Sequence, residues 1–228
     1  MIAYRILFFL ILPVTAFSQG SATITLKVKP LSLPVLRDRE ADAWNNAQPG
    51  FSRLPAEAKE MLYWTNAARL HPHWFWDSVL APTLQIYPQL QGRYSRSLML
   101  DLFRTGPLPA FALNNLLVKT AQSHANDIAA HHAPISHFST NGLSFTDRLR
   151  RAGIGFFTCA SENISLSSQS TALAVILLYL DIDIPELGHR KALLNASLKE
   201  IGVGAARYNE DQYFLVEDMT CSADPKTQ

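Results

Sequence analysis

Residues Ala172 to Leu180 read Ala-Leu-Ala-Val-Ile-Leu-Leu-Tyr-Leu, an apolar run with no charged side chain. Ser170 or Thr171 can cap it as a helix. A helix that is apolar all round has no wet face and must be buried on every side. It is far shorter than the roughly 20 residues that cross a bilayer. Its 228 residues, 48% of them hydrophobic, suffice the chain for one ordinary domain with appendages. Asp181 ends the run, at the helix end that disfavours an anion.

The remaining elements follow from periodicity and punctuation. Ile24, Leu26 and Val28 alternate with polar residues and predict a short strand. Arg37 to Gly50, mostly polar and closed by Pro49-Gly50, predicts a surface loop. A helix is expected from Pro55 to Leu70, stopped by His71-Pro72, and a short aromatic segment from His73 to Leu80. Thr83 to Pro109, rich in Pro and Gly, reads as a loop with one helical piece near Arg96 to Phe103. Leu113, Leu116, Leu117, Ala121, His124 and Ile128 form one helical stripe, which makes His124 a buried, hydrogen-bonded histidine. Ser144 to Asp147 is a capping box opening a helix that Gly153 closes. The basic cluster Arg148-Leu149-Arg150-Arg151 reads as a solvated face of that helix. A strand is expected over 154–165, a short helix over 188–194, and a β-hairpin from Ile201–Ala205 to Tyr213–Met219 around Asn209-Glu210-Asp211. Helices first and strands last predict an α+β fold.

Arg5 precedes an apolar stretch from Ile6 to Val14, and Ala16-Phe17-Ser18 supplies small residues where a signal peptidase reads. Residues 1–18 are thus expected to be a signal peptide, with no membrane span after cleavage; a retained anchor is the alternative. The exported protein would be secreted or periplasmic. In an oxidising compartment Cys159 and Cys221, even in number, are expected to form a disulfide, the rival being a reactive thiol at Cys159. A net charge of +1 argues neither for nucleic acid nor for an anionic membrane.

Four ionisable residues stand out. His137 lies in a loop ahead of the turn Asn141-Gly142, where functional side chains gather. Glu162 is set among small and apolar neighbours in a strand, a costly place for an unpaired carboxylate. Asp181 ends the buried helix. His189 opens the next helix, where a cationic ring is disfavoured and a neutral, ligating one is favoured. Two imidazoles and two carboxylates can bind a divalent metal or move protons. Four residues satisfied separately are the plain alternative.

Several segments together carry a resemblance: Asn66-Ala67-Ala68-Arg69, Leu117 to Ala125, Ser136-His137-Phe138 with Asn141-Gly142, Glu162-Asn163-Ile164, Gly188-His189-Arg190 and Ile201-Gly202-Val203-Gly204. In order and spacing, the chain from about Glu57 to Thr220 resembles the SCP-like domain of the CAP superfamily (cysteine-rich secretory proteins, venom allergens, pathogenesis-related proteins), bacterial branch. The resemblance implies residues 55–222 as that domain, after an N-terminal extension and linker over 19–54. It implies an α-β-α sandwich with a three-stranded antiparallel sheet between helical layers. It also implies a central cavity lined by two histidines and two acids: His137, Glu162, His189 and, for the fourth, Asp181, with Asp183 and Glu186 as substitutes.

Three functions are consistent with this reading. In the first, His137 and His189 hold Zn²⁺ or another divalent metal, and the cavity takes a small-molecule, lipid or cell-envelope ligand without catalysis. In the second, Glu162, His137 and His189 form a hydrolase centre, Glu162 acting as general base, or Ser136, Ser139 or Ser161 as nucleophile. In the third, the chain is an envelope interaction module with the Thr83–Pro109 insertion as its contact surface. No nucleophile elbow, HExxH or P-loop pattern is present.

Overall fold

The computed structural model describes residues 21–27, 29, 31, 33–34, 37–154, 159–167 and 170–221. The signal peptide expected over 1–18 lies outside the described residues.

Three long strands build the centre: β2 (Ala160–Ser167), β3 (Glu200–Arg207) and β4 (Tyr213–Thr220), all antiparallel, with β4 in the middle. A two-residue strand, β1 (Ala112–Leu113), adds in parallel to β3, so the order is β1-β3-β4-β2. The sheet thus has one strand more than expected. Helix α6 (Asn115–Ala130) covers one face, lying over β3 and β4. Gly202 and Gly204 permit this. A Cβ at either would fall on backbone atoms of Leu117 and Val118 or of Ala121 and Gln122. Helices α2 (Ala56–Leu70) and α8 (Thr171–Leu180) pack together on the other face. The architecture is the α-β-α sandwich that the family resemblance implied.

The alternation of β4 shows why both faces need covering. Leu215 and Met219 join the core under α2 and α8, while Phe214 and Val216 join Ala121, Ala125 and Ile128 of α6. Helix α8 is buried along almost its whole length, as its composition requires. Cys159 and Cys221, just outside the paired ends Ala160 and Thr220, are disulfide-bonded with Cα atoms 5.6 Å apart.

Three local expectations are corrected. Arg37–Gly50 is not a loop: Asp38 caps helix α1 (Arg39–Ala47) by accepting from the Ala41 N–H at 2.8 Å. Trp44 anchors α1 by donating its indole N–H to Phe111 O at 2.9 Å. Residues 72–105 are mostly helical: α3 (Pro72–Phe75), α4 (Ala81–Ile86) and α5 (Arg93–Thr105), with a π turn over Trp76–Leu80. The prolines there stand at first turns, where a missing N–H costs nothing, so they start helices instead of breaking them. No strand forms over the described residues 21–27; Ile24 and Leu26 instead pack on the core.

Candidate functional site

The four singled-out residues form two histidine–carboxylate pairs. In the first, His137 Nδ1 lies 2.8 Å from Glu162 Oε1. Glu162 is carried on β2, the edge strand, and is 3% exposed, while the His137 side chain is about one-third exposed. The other carboxylate oxygen, Oε2, is bonded by the Arg148 guanidinium. Arg148 lies on α7 (Phe145–Arg151), which the Ser144–Asp147 capping box opens as expected. Its side chain is buried, against the expectation of a solvated basic face. It also donates to His137 O at 2.9 Å and to Ser139 Oγ and Leu143 O, both at 3.3 Å. The helical period turns Arg148 inward while Arg150 and Arg151 stay outside.

Two opposing forces act on Glu162. Burial pushes its carboxyl up. The His137 hydrogen bond and the Arg148 charge outweigh burial and hold it below the usual carboxylate range. Directly across the ladder stands Asp218, fully buried, accepting from Thr120 Oγ1 at 2.5 Å. Burial, reinforced by the charge of Glu162, pushes Asp218 well above its usual range. Of these two facing acids, Glu162 is the one pulled down and Asp218 the one pushed up.

In the second pair His189 Nδ1 lies 2.6 Å from Asp181 Oδ1. Asp181 follows α8 in the left-handed region, φ +51°, and His189 begins α9 (Gly188–Leu193). The Arg190 backbone N–H donates to Asp181 Oδ2 at 2.9 Å. Arg190 is itself fully buried, and its guanidinium donates to Tyr179 O and Leu180 O, both at 2.7 Å. A cation thereby satisfies the last carbonyls of a buried helix and offsets the end of its dipole. Asp183 and Glu186, the substitutes for Asp181, are both exposed, and it is Asp181 that holds His189. Helices α8 and α9 both pack against β2, which brings the second pair to the strand that carries the first.

Each carboxylate therefore has both oxygens engaged, and each imidazole is held through Nδ1, which leaves Nε2 as the nitrogen turned away from the carboxylate. This is the second-sphere arrangement that prepares an imidazole for a metal or a ligand. Among the described residues no cluster of three or more His, Cys, Asp or Glu side chains is placed to hold an ion. The donors on offer are two imidazoles, each backed by a carboxylate.

Ser136 and Ser139 make local contacts, the one within its loop and the other with α6. Ser139 Oγ is 3.3 Å from His124 Nδ1, but His124 Nε2 meets the backbone carbonyl of Ser136 at 2.9 Å, not a carboxylate. Burial lowers the His124 pKa, so its ring is neutral, as expected of a core histidine. Ser136 Oγ accepts from the Phe138 N–H. These contacts fold the 136–143 loop onto α6 and present His137. Arg148, Asp218 and Arg190 were not singled out from the sequence as site residues. The only sequence signal for Asp218 is the pair Glu217-Asp218 inside an apolar strand, where one of two consecutive acids must face each side.

A family model described as "CAP: Cysteine-rich secretory protein family" matches residues 62–219. No curated protein sequence matches. Among solved structures, an extracellular protein containing an SCP domain from Bacillus anthracis is 28% identical over 57% of this chain and 39% of its own, with a TM-score of 0.37. Venom allergen-like protein 4 of Schistosoma mansoni is 14% identical over 77% of this chain and 96% of its own, TM-score 0.42. An outer surface protein of Borrelia burgdorferi is 19% identical over 56% of this chain and 87% of its own, TM-score 0.41.

Proposed function

The chain belongs to the cysteine-rich secretory protein (CAP) family, and from that premise we propose that it is an exported binding protein, not a hydrolase. His137 and His189 would present Nε2 to a divalent metal such as Zn²⁺, or to a polar group of a small or lipidic ligand at the cell envelope. One observation carries the reading: Glu162 and Asp181 use both their oxygens in orienting imidazoles and accepting from Arg148 and Arg190. A general base must be basic enough to take a proton from water, and hydrogen bonds from charged or strongly polarised donors reduce that basicity. Glu162, held ionised by a buried guanidinium, is a weak base and a good anchor. A bound metal would supply a Lewis-acid coordination point. The chain's residues orient the two imidazoles by engaging Nδ1 with a carboxylate and turn Nε2 away from it. The disulfide supports export, because such bonds persist in oxidising compartments.

Metal content of the purified protein, measured by mass spectrometry with and without added Zn²⁺, tests this. Stoichiometric metal that disappears in folded His137→Ala and His189→Ala variants is the expected result. Metal retained in both variants would reject a site at these residues.

A further inference from the structure

Helix α5 buries Ser95, Leu98 and Leu102. Before its final residue its exposed positions are Arg93, Arg96, Leu100, Phe103 and Arg104. At 100° per residue these five fall within an arc of about 100°. The outward stripe therefore interleaves three guanidiniums with two large apolar side chains, Leu100 at 47% and Phe103 at 44% exposure. The one acid of the helix, Asp101, is off this stripe and is bonded by Arg190 at 3.0 Å. Arg93 turns to a neutral partner, the Tyr94 hydroxyl, at 2.7 Å. Phe103 is held in place by stacking on His73, ring centroids 4.2 Å apart. Salt screens charge beyond about 10 Å, so a net charge near zero does not cancel this local field.

We propose that the α5 stripe docks on an anionic phospholipid bilayer. Guanidiniums suit phosphate oxygens at headgroup level, and apolar side chains between them reach the acyl boundary. A soluble polyanion would use the arginines but gain nothing from Leu100 and Phe103, whereas a bilayer would bury both. The proposal is independent of the histidine–carboxylate pairs.

Co-sedimentation tests it, using the whole chain with vesicles of phosphatidylcholine alone or mixed with phosphatidylglycerol. The wild type is expected to bind the mixed vesicles, less so as salt rises, and not the neutral ones. Combined Arg93→Gln, Arg96→Gln and Arg104→Gln should weaken binding roughly a hundredfold, at about 1 kcal/mol per arginine near the surface. Leu100→Ser with Phe103→Ser should also lose vesicle binding while retaining any binding to heparin. All five side chains are exposed, and equal thermal midpoints check that the variants fold. Equal binding to neutral vesicles, no binding by the wild type, or full binding by the Leu100/Phe103 variant would each overturn the proposal. The last result would mean that charge alone drives the binding, with no insertion of Leu100 and Phe103.

Discussion

Glu217 and Asp218 are neighbours on β4, fully buried, and turned to opposite faces of the sheet. Asp218 faces Glu162 and α6. Glu217 faces α2 and β2, accepting from Thr65 Oγ1 at 2.6 Å and Asn163 Nδ2 at 3.2 Å. No cation bonds it in the described residues. Burial pushes its carboxyl up to about 7, against the pull of those two donors and of His189. The central strand thus carries a buried acid on each face, and burial pushes both carboxyls up.

That raises a pH prediction with an unusual sign. The folded pKa of Glu217, about 7, lies above the reference 4.5. The folded state therefore binds the proton more tightly. Its contribution is complete below about pH 4.5 and is lost as pH rises toward 7. The loss amounts to roughly 3 kcal/mol at 1.36 kcal/mol per pKa unit. Glu217→Gln, neutral at every pH, should remove this slope. Urea unfolding of both proteins across pH 5 to 8 reads it directly, and parallel profiles would contradict it.

Glu162→Gln removes the charge that Arg148 was buried against. An uncompensated buried guanidinium typically costs about 3–5 kcal/mol, far more than a surface pair is worth. Denaturant unfolding at neutral pH should show a loss in that range. A loss below about 1 kcal/mol would mean that the pair does not hold the His137 loop.

Asp181→Asn is expected to fold, because asparagine tolerates the left-handed backbone that Asp181 adopts. It changes the acceptor that fixes the His189 tautomer. Nitrogen NMR should show the His189 proton leaving Nδ1, and metal affinity should drop about 10–100-fold. An unchanged tautomer would separate the two residues functionally.

Reduction of Cys159–Cys221 opens a closure spanning 62 residues. Loop entropy puts its contribution at about 4 kcal/mol. The thermal midpoint should fall in reductant, and Cys159→Ser with Cys221→Ser should match the reduced protein. Insensitivity to reductant would show that the sheet ends are held without the bond.

Gly202→Ala and Gly204→Ala should each destabilise the fold by at least about 1–3 kcal/mol, because the added methyl meets α6 backbone that cannot rotate away. Circular dichroism melts check this; a wild-type midpoint would show that α6 sits farther from β3.

Much of the sandwich was legible because its signals are local and redundant. The apolar length of Ala172–Leu180 demanded burial, Ser144–Asp147 set a helix start, and Ile201–Ala205 with Tyr213–Met219 alternated around a polar turn. Where local signals are ambiguous the reading failed. Prolines at 72, 82 and 88 look like breakers, yet each opens a helical turn. The polar sequence of α1 hides Ala41 and Asn45, which are buried only because α2 lies beside them. Arg148 looked solvated because a helical face is wet or dry only by virtue of what covers it.

The sequence alone pointed to the α+β class, to a bond between its two cysteines and to four odd ionisable residues: His137, Glu162, Asp181 and His189. Their oddness could be read because an ionisable group at a helix end or in an apolar strand is costly wherever the chain goes. Only the tertiary structure decided how that cost is met. It split the four into two pairs, brought Arg148 from α7 to Glu162 and Arg190 from α9 to the end of α8, and set Asp218 opposite Glu162. Register across antiparallel strands and the facing of helices are long-range outcomes, fixed by what packs against what, and a linear pattern carries no record of them.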